Sequence, residues 1–422
     1  MPRAGMSRRT LLIVAGLLCA GSVAAAADWP RFRGPNGTGI SADKNVPTQI
    51  AEDKNLLWKV EIPGAGNSSP IVSAGKIFLQ SASADGKERH LICLNLSDGA
   101  VLWQRAAPGN TAKTHAKNTL AACTAAADGK RVFVPFWDGR DLSLAAYDFE
   151  GKPLWTVPLG SFPINHGAGH SPIIVGDKVV LVKDQDGASE VIAFDAESGQ
   201  IAWRFDRSPS PSTCFSTPLL LERAGEAPEI VVASSVGVSG YDSKSGSEKW
   251  KWAWASNTQK LRTVGSPIVS QGMLFLTGGN GPGARHAVGV RLDGDRGASN
   301  GGAHQEWETL KLYPYVPSML AHGDHLYFVN DAGIAACALA RTGEIVWQQR
   351  LGIGNVTASP LMVDGKIYVV SENGNVQVFA AETSYREIAA GKLDEGVLAS
   401  PAVADSRLVI RGKQHLYCFG AK

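Results

Sequence analysis

A glycine followed four residues later by a tryptophan occurs five times in this 422-residue chain, each time after a polar turn that closes an alternating apolar segment. In VIAFDAESGQIAWRF, Val191 to Phe205, the pair is Gly199 and Trp203. LNLSDGAVLW carries Gly99 and Trp103, AYDFEGKPLW Gly151 and Trp155, GYDSKSGSEKW Gly246 and Trp250, and CALARTGEIVW Gly343 and Trp347. A binding site occurs once and a building unit recurs, so the pair belongs to the frame of the molecule. Alternation, turn and resumed alternation describe a β-hairpin in which glycine supplies the positive φ of the turn. The tryptophan then lies on the returning strand with a large apolar face for the neighbouring sheet.

A second element precedes each hairpin, a small residue and a proline that open a short apolar strand. It surrounds Pro70, Pro172, Pro267, Pro360 and Pro401; Pro218 and Pro317 fit the same place, and Cys123 takes it in NTLAACTAAADGKRVFVPF. That makes eight units of four short strands joined by turns, and no stretch sustains a helical period. Repeats of ~40–50 residues with four strands each are the signature of propeller blades. The expected fold is all-β, an eight-bladed β-propeller of four-stranded antiparallel blades. Two units depart from the pattern. The fifth has a polar insertion, RLDGDRGASNGGAHQEW, before Trp307, and the seventh has Arg386 or Ile388 where tryptophan is expected. The last unit lacks a tryptophan strand, whereas LLWKVEI, Leu56 to Ile62, is such a strand, with Trp58, and has no hairpin before it. That N-terminal strand is expected to complete the last blade, close the ring and remove a sheet edge.

The expected organisation is a signal peptide at 1–27, an N-terminal extension at 28–55 that packs along the propeller, and one propeller domain at 56–422. Arg3, Arg8 and Arg9 precede the apolar stretch from Leu11 to Leu18 and the small residues of GSVAAAAD, which predicts export with cleavage near Asp28. Ser7 to Leu12 also resembles a twin-arginine signal, so export of an unfolded chain and export of a folded one are both open. The apolar stretch is too short and too rich in Gly and Ala for a membrane anchor. Without the signal the chain has 38 basic and 39 acidic side chains, a net charge of −1, and nothing favours nucleic acid. Beyond Cys19, the cysteines Cys93, Cys123, Cys214, Cys337 and Cys418 are widely spaced and mostly among apolar strand residues. They read as buried free thiols, with one long-range bridge left open.

AFDAESGQIAW, LNLSDGAVLW and CALARTGEIVW resemble the pyrroloquinoline quinone (PQQ) type repeat, the blade motif of quinoprotein alcohol dehydrogenases and of BamB, the propeller subunit of outer-membrane protein assembly. The opening DWPRFRGPNGTGIS resembles the start of exported PQQ-like repeat proteins. The resemblance covers nearly the whole mature chain and implies the propeller; the same repeat builds enzymes and non-enzymes alike. The dehydrogenases hold PQQ above a tryptophan, with a calcium on acidic and amide side chains, an aspartate base and often a disulfide between adjacent cysteines. This chain has no adjacent cysteines and lacks the long capping insertions. BamB-like chains are usually lipid-anchored, but here Leu18 stands before Cys19 where the lipidation motif takes a small residue.

Propellers usually bind ligands where the loops before each first strand and between the second and third strands meet. FPINHGAGHSP puts His166 and His170 four residues apart before a first strand, and His115 lies before the second blade. Neutral imidazoles there can ligate a metal or hydrogen-bond at the channel mouth. KDQDGASE offers Asp184, Asp186 and Glu190 as oxygen ligands of the sort calcium takes, or a plain hairpin turn. FWDGRD joins Trp137, Asp138 and Arg140 as an aromatic and charged platform or an exposed hairpin. LRTVGSP places Arg262 before a first strand, and FVNDAG places Asn330 and Asp331 in a blade turn; both are funnel candidates. GGNGPG and GPNGTG sit between no strand and helix, and no G-x-S-x-G nucleophile motif occurs, so catalytic residues stay unassigned.

Two function classes remain. The first is an exported, non-catalytic scaffold, expected to be monomeric, that takes a protein, peptide or glycan on its funnel face or blade edges. The second is a PQQ-dependent oxidoreductase with calcium, in which the cofactor supplies the chemistry.

Overall fold

The computed structural model describes Met1 and residues 28–207, 212–254, 261–280, 285–292, 294, 302–310 and 312–421; residues 2–27 of the expected signal and half of the insertion before Trp307 lie outside the described residues. Eight antiparallel sheets of four strands follow one another along the chain, and the molecule is an eight-bladed β-propeller. Blade three is typical: Ile173–Val175, Lys178–Lys183, Ser189–Asp195 and Ile201–Arg207 run in that order from the central channel to the rim. The two middle strands are almost wholly buried because adjacent blades cover both their faces, while the rim strand alternates between exposed and covered residues. Leu56–Glu61 pairs antiparallel with His415–Phe419, so the first long strand and the last share a sheet.

The glycine and tryptophan of each motif meet across a blade boundary. Gly199, at φ 73°, lies flat on the indole of Trp155 from the preceding blade, and a Cβ there would come within 2.6 Å of that ring. Gly99, Gly151, Gly246 and Gly343 lie on Trp58, Trp103, Trp203 and Trp307 in the same way. The indole N–H then reaches the next blade's backbone: Trp103 donates to the carbonyl of Phe149 at 2.9 Å, Trp155 to Ala196 at 3.2 Å and Trp307 to Ala340 at 2.9 Å. One side chain thus buries apolar area and satisfies its only donor in the same junction.

The neighbouring strand makes room for the indole. Cys93, Ala146, Ala193, Gly240, Gly289, Cys337 and Cys418 stand opposite Trp103, Trp155, Trp203, Trp250, Trp307, Trp347 and Trp58. Three of the five described cysteines are therefore small apolar partners of a tryptophan, and all five are buried and free. Burial pushes the Cys93 and Cys418 thiols up to about 12. In blade seven the residue in tryptophan's place is Ala389, facing Val378, rather than Arg386 or Ile388. A bulge between Val378 and Phe379 shifts the count.

Around the channel a serine or threonine precedes each first strand and hydroxyls link the blades in sequence. The backbone N–H of Ser69 donates to Thr124 Oγ1 at 3.1 Å, Thr124 to Ser171 Oγ at 3.0 Å, Thr217 to Ser266 at 3.1 Å and Ser266 to Ser318 at 2.9 Å. Ser318 donates to Ser359 at 3.0 Å, Ser359 to Ser400 at 2.9 Å and Ser400 back to Ser69 at 3.0 Å. This ring corrects the sequence alignment of two blades. Ala125 and Met319, two residues beyond Cys123 and Pro317, hold the place that proline takes in the others, because Thr124 and Ser318 are the ring members.

The innermost strands leave an unpaired edge facing the channel, and the N-terminal extension fills it. Asp28 caps Ser73 and Ala74, and Trp29 exchanges backbone hydrogen bonds with Val72 of blade one at 2.9 Å. Ala127 of blade two donates to the Pro30 carbonyl, and Asn36 bonds both backbone groups of Leu220 in blade four. Ile40–Ser41 adds a parallel strand to Leu361–Val363 of blade seven, and Asp43 accepts from Ser406 of blade eight. The extension therefore crosses the channel from wall to wall.

Candidate ligand-binding funnel

Above the crossing segment the channel is a cavity of about 280 Å³. Phe32 of the extension forms its floor, and Phe215, Val264, Tyr315, Val316 and Leu398 give an apolar wall interrupted by hydroxyls of the ring. Asn67, His115, Lys117, Asn118, His166 and Arg262 surround the mouth.

The loops that carry these residues are tied to one another. His115 N–H donates to the His166 carbonyl at 3.1 Å, and the Asn118 amide donates to the carbonyls of His166 and Gly167 at 2.8 and 3.0 Å. The two imidazoles stack with ring centres 5.9 Å apart. Arg262 Nη1 lies 3.1 Å from His166 Nε2; a guanidinium can only donate, so His166 accepts there and carries its proton on Nδ1. Partial burial, with the charges of Arg262, His115 and Lys113 adding to it against Asp186, lowers the His166 pKa and keeps the neutral ring. Lys117 is neutralised by Glu372 at 2.6 Å, which also accepts from Thr357. The lining contains no carboxylate, so the mouth offers the Arg262 guanidinium and neutral polar groups above an apolar pocket.

Of the sequence candidates, His115, His166 and Arg262 come together on this cavity. Asp331 serves it indirectly by accepting the backbone N–H groups of Tyr315 and Val316 at 2.8 and 3.2 Å, which fixes that stretch of wall. Asn330 folds its own turn and donates to the Leu312 carbonyl at 3.0 Å. His170 stands behind the wall, 3 % exposed, edge-on to Phe162 at 4.9 Å and beside Phe215 at 5.8 Å. Burial holds its pKa down to about 4.

The FWDGRD platform is a correction. Trp137 is buried in the core with its N–H on the Phe162 carbonyl at 3.2 Å, Asp138 accepts the N–H groups of Arg140 and Asp141, and exposed Arg140 lies off the funnel. The calcium candidates are another. Asp184 is buried against Arg207 at 3.3 Å, with its pKa pushed up to about 6 by burial; Asp186 accepts from the Thr213 N–H; Glu190 pairs with Arg204 at 3.0 Å. The three carboxylates turn to different partners, and among the described residues no group of three ligating side chains could hold a metal. Sequence reasoning missed Phe32, Phe215, Tyr315 and the hydroxyl ring. The ring left a trace in the serine or threonine before six of the prolines.

A family described as outer membrane protein assembly factor BamB matches residues 36–140, 113–349 and 305–387, most of the chain. The chain belongs to the BamB family. The BamB of Moranella endobia is 27% identical over 248 residues, a match that takes in 54% of this chain and 59% of that protein, so the chain spans under two thirds of its relative's length. The crystal structure of BamB from Moraxella catarrhalis has a TM-score of 0.61 at 15% identity, covering 87% of this chain and 97% of that one. A europium-containing methanol dehydrogenase has a TM-score of 0.54 at 12% identity, covering 94% and 98%. The BamB fold and the dehydrogenase fold are thus the same propeller, and the site must separate them. The wall of this funnel has neither the acidic ligands for a calcium nor the tryptophan on which a quinone would lie, so its residues do not fit that cofactor.

Proposed function

We propose that this chain is an exported, non-catalytic assembly scaffold of the BamB type that docks a segment of a partner protein in its funnel. The export signal at 1–27 and the mature start near Asp28 are part of this reading. The observation that carries it is the blind cavity: a floor provided by Phe32, an apolar wall including Phe215 and Tyr315, and a mouth where His115, His166 and Arg262 face no carboxylate. An apolar anchor in a desolvated pocket, surrounded by polar contacts that exclude water, is the arrangement in which a few residues carry most of a protein–protein affinity. The guanidinium of Arg262 at that mouth favours a segment with an acidic residue beside the anchor. Names of relatives point the same way, since both the family and its Moranella endobia member are described as outer membrane protein assembly factors.

The test is affinity capture from the envelope of the producing cell with the wild-type chain and with the variant His166→Glu, Arg262→Glu. Partners retained by the wild type and lost by the variant, at unchanged thermal stability, support docking in the funnel. Equal capture by both chains moves binding away from it.

A further inference from the structure

The funnel is closed at one end and narrowed at the other. All eight blades contribute to its lining, Phe32 shuts the base, and the loop of residues 110–122 leans over the mouth from blade two. That loop is tied down on three sides. Asn67 of blade one donates to the Lys117 carbonyl at 3.1 Å, Asn118 holds the His166 carbonyl of blade three at 2.8 Å, and the Lys117 ammonium reaches past blades one and eight to Glu372 of blade seven. A ligand therefore enters and leaves by one restricted opening.

His115, His166 and Arg262 keep donors to spare at that opening. A backbone N–H, from Lys117, meets His115 Nδ1 at 3.2 Å, so the His115 proton sits on Nε2, while His166 accepts from Arg262 and keeps its proton on Nδ1. Arg262 is half-buried, and that imidazole nitrogen is the one hydrogen-bond partner of its side chain among the described residues. Lys117 and Glu372 cancel, which leaves the single charge of the Arg262 guanidinium beside the apolar wall. A guanidinium fork matches the two oxygens of a carboxylate, and a phosphate dianion would find only half its charge met. The complementary ligand thus has one carboxylate with a large apolar group close to it.

We propose that the funnel takes the C-terminal residue of a partner chain, with the α-carboxylate on Arg262 and the imidazole N–H groups beside it, and the last side chain, large and apolar, against Phe215 and Tyr315. This rests on the funnel being the docking site and names what docks there. At a chain end the carboxylate and the anchor hang from one Cα, and a single strand of chain leaves through the opening. An internal acidic residue beside an anchor needs room for two strands under the loop of residues 110–122.

The chain in its exported form is titrated with a short fluorescein-labelled peptide ending in Gly-Ser-Phe, and binding is read by fluorescence anisotropy. The peptide is made with a free C-terminal carboxylate, with a C-terminal amide, and as an amide carrying an aspartate before the phenylalanine. The free-acid peptide is expected to bind, and amidation to weaken it by about tenfold or more. In Arg262→Gln acid and amide should bind alike, Arg262→Lys should restore part of the difference, and Arg140→Gln, off the funnel, should keep all of it. Equal binding of acid and amide by the wild type, or tighter binding of the aspartate amide than of the acid, overturns the proposal. Displacement of the peptide by 3-phenylpropionate at the peptide's own concentration also overturns it, because the ligand is then a free acid and not a chain end. If no peptide binds while His166→Glu, Arg262→Glu still loses partners that the wild type captures, the chain end falls and docking in the funnel stands. If the peptides and the capture fail together, both fall.

Discussion

The rim and the channel of this propeller are built from the same repeat to different standards. At the rim, glycine meets the preceding blade's tryptophan in the same way at junction after junction. Just above the hydroxyl ring the equivalent places hold Ser68, Cys123, His170, Ser216, Gly265, Pro317, Ala358 and Ala399, seven small or compact residues and one imidazole. Seven of the eight ring junctions carry the hydroxyl hydrogen bond, and the one from Ser171 to Thr217, beside His170, does not. Both ring nitrogens of His170 and the Ser216 hydroxyl are buried without partners there. The repeat is kept where it supplies stability and broken next to the funnel wall, as expected where a site has been placed on a regular frame.

Breaking the rim should have the largest effect. Trp203→Ala removes a buried indole and its bond to the Ser243 carbonyl, and should cost about 3–5 kcal/mol in urea unfolding. A loss under about 1 kcal/mol would mean that blades three and four are held by something else. Ser318→Ala cuts one link of the ring and leaves the buried N–H of Ser266 unmet, for about 1–3 kcal/mol by the same measurement.

His170→Leu sharpens the comparison through pH. With its pKa held at about 4, below the unfolded value of about 6.5, His170 binds fewer protons in the folded chain, so its contribution is lost as pH falls through that window. Asp184, raised to about 6, acts in the opposite sense, and its contribution is lost as pH rises from about 4 to 6. The two slopes oppose each other in the wild type. The leucine variant should keep only the second, becoming more stable at pH 4.5 than at pH 6 relative to wild type, by about 1.4 kcal/mol per pH unit at most. Identical pH profiles would contradict the placement of His170. Arg262→Ala, at the mouth, should change stability by less than about 0.5 kcal/mol while reducing partner capture. A large loss of stability would make Arg262 part of the frame instead.

The fold was legible because its signals are local and repeated: a turn glycine, an indole four residues on, and a proline before each first strand. The alignment slipped at Cys123, Pro317 and blade seven because proline and tryptophan are proxies. What the register follows is the hydroxyl ring and the bulge at Val378, neither of which spacing along one strand reveals. His115, His166 and Arg262 were legible as polar residues in loops before first strands. Phe32 was not, since nothing in DWPRFRGPNGTG says that the segment crosses the channel, and Trp137 misled because strand and turn abut there and the indole belongs to the strand.

The most direct test of the funnel as the docking site is a photo-cross-linking scan in living cells. A benzophenone amino acid is placed at Phe215 or Val264 in the cavity wall, and at exposed Leu102 or Leu154 on the rim. Adducts to partner proteins confined to the wall positions are the predicted result. Adducts confined to the rim would show that the partner binds the blades and that the funnel is not where docking occurs.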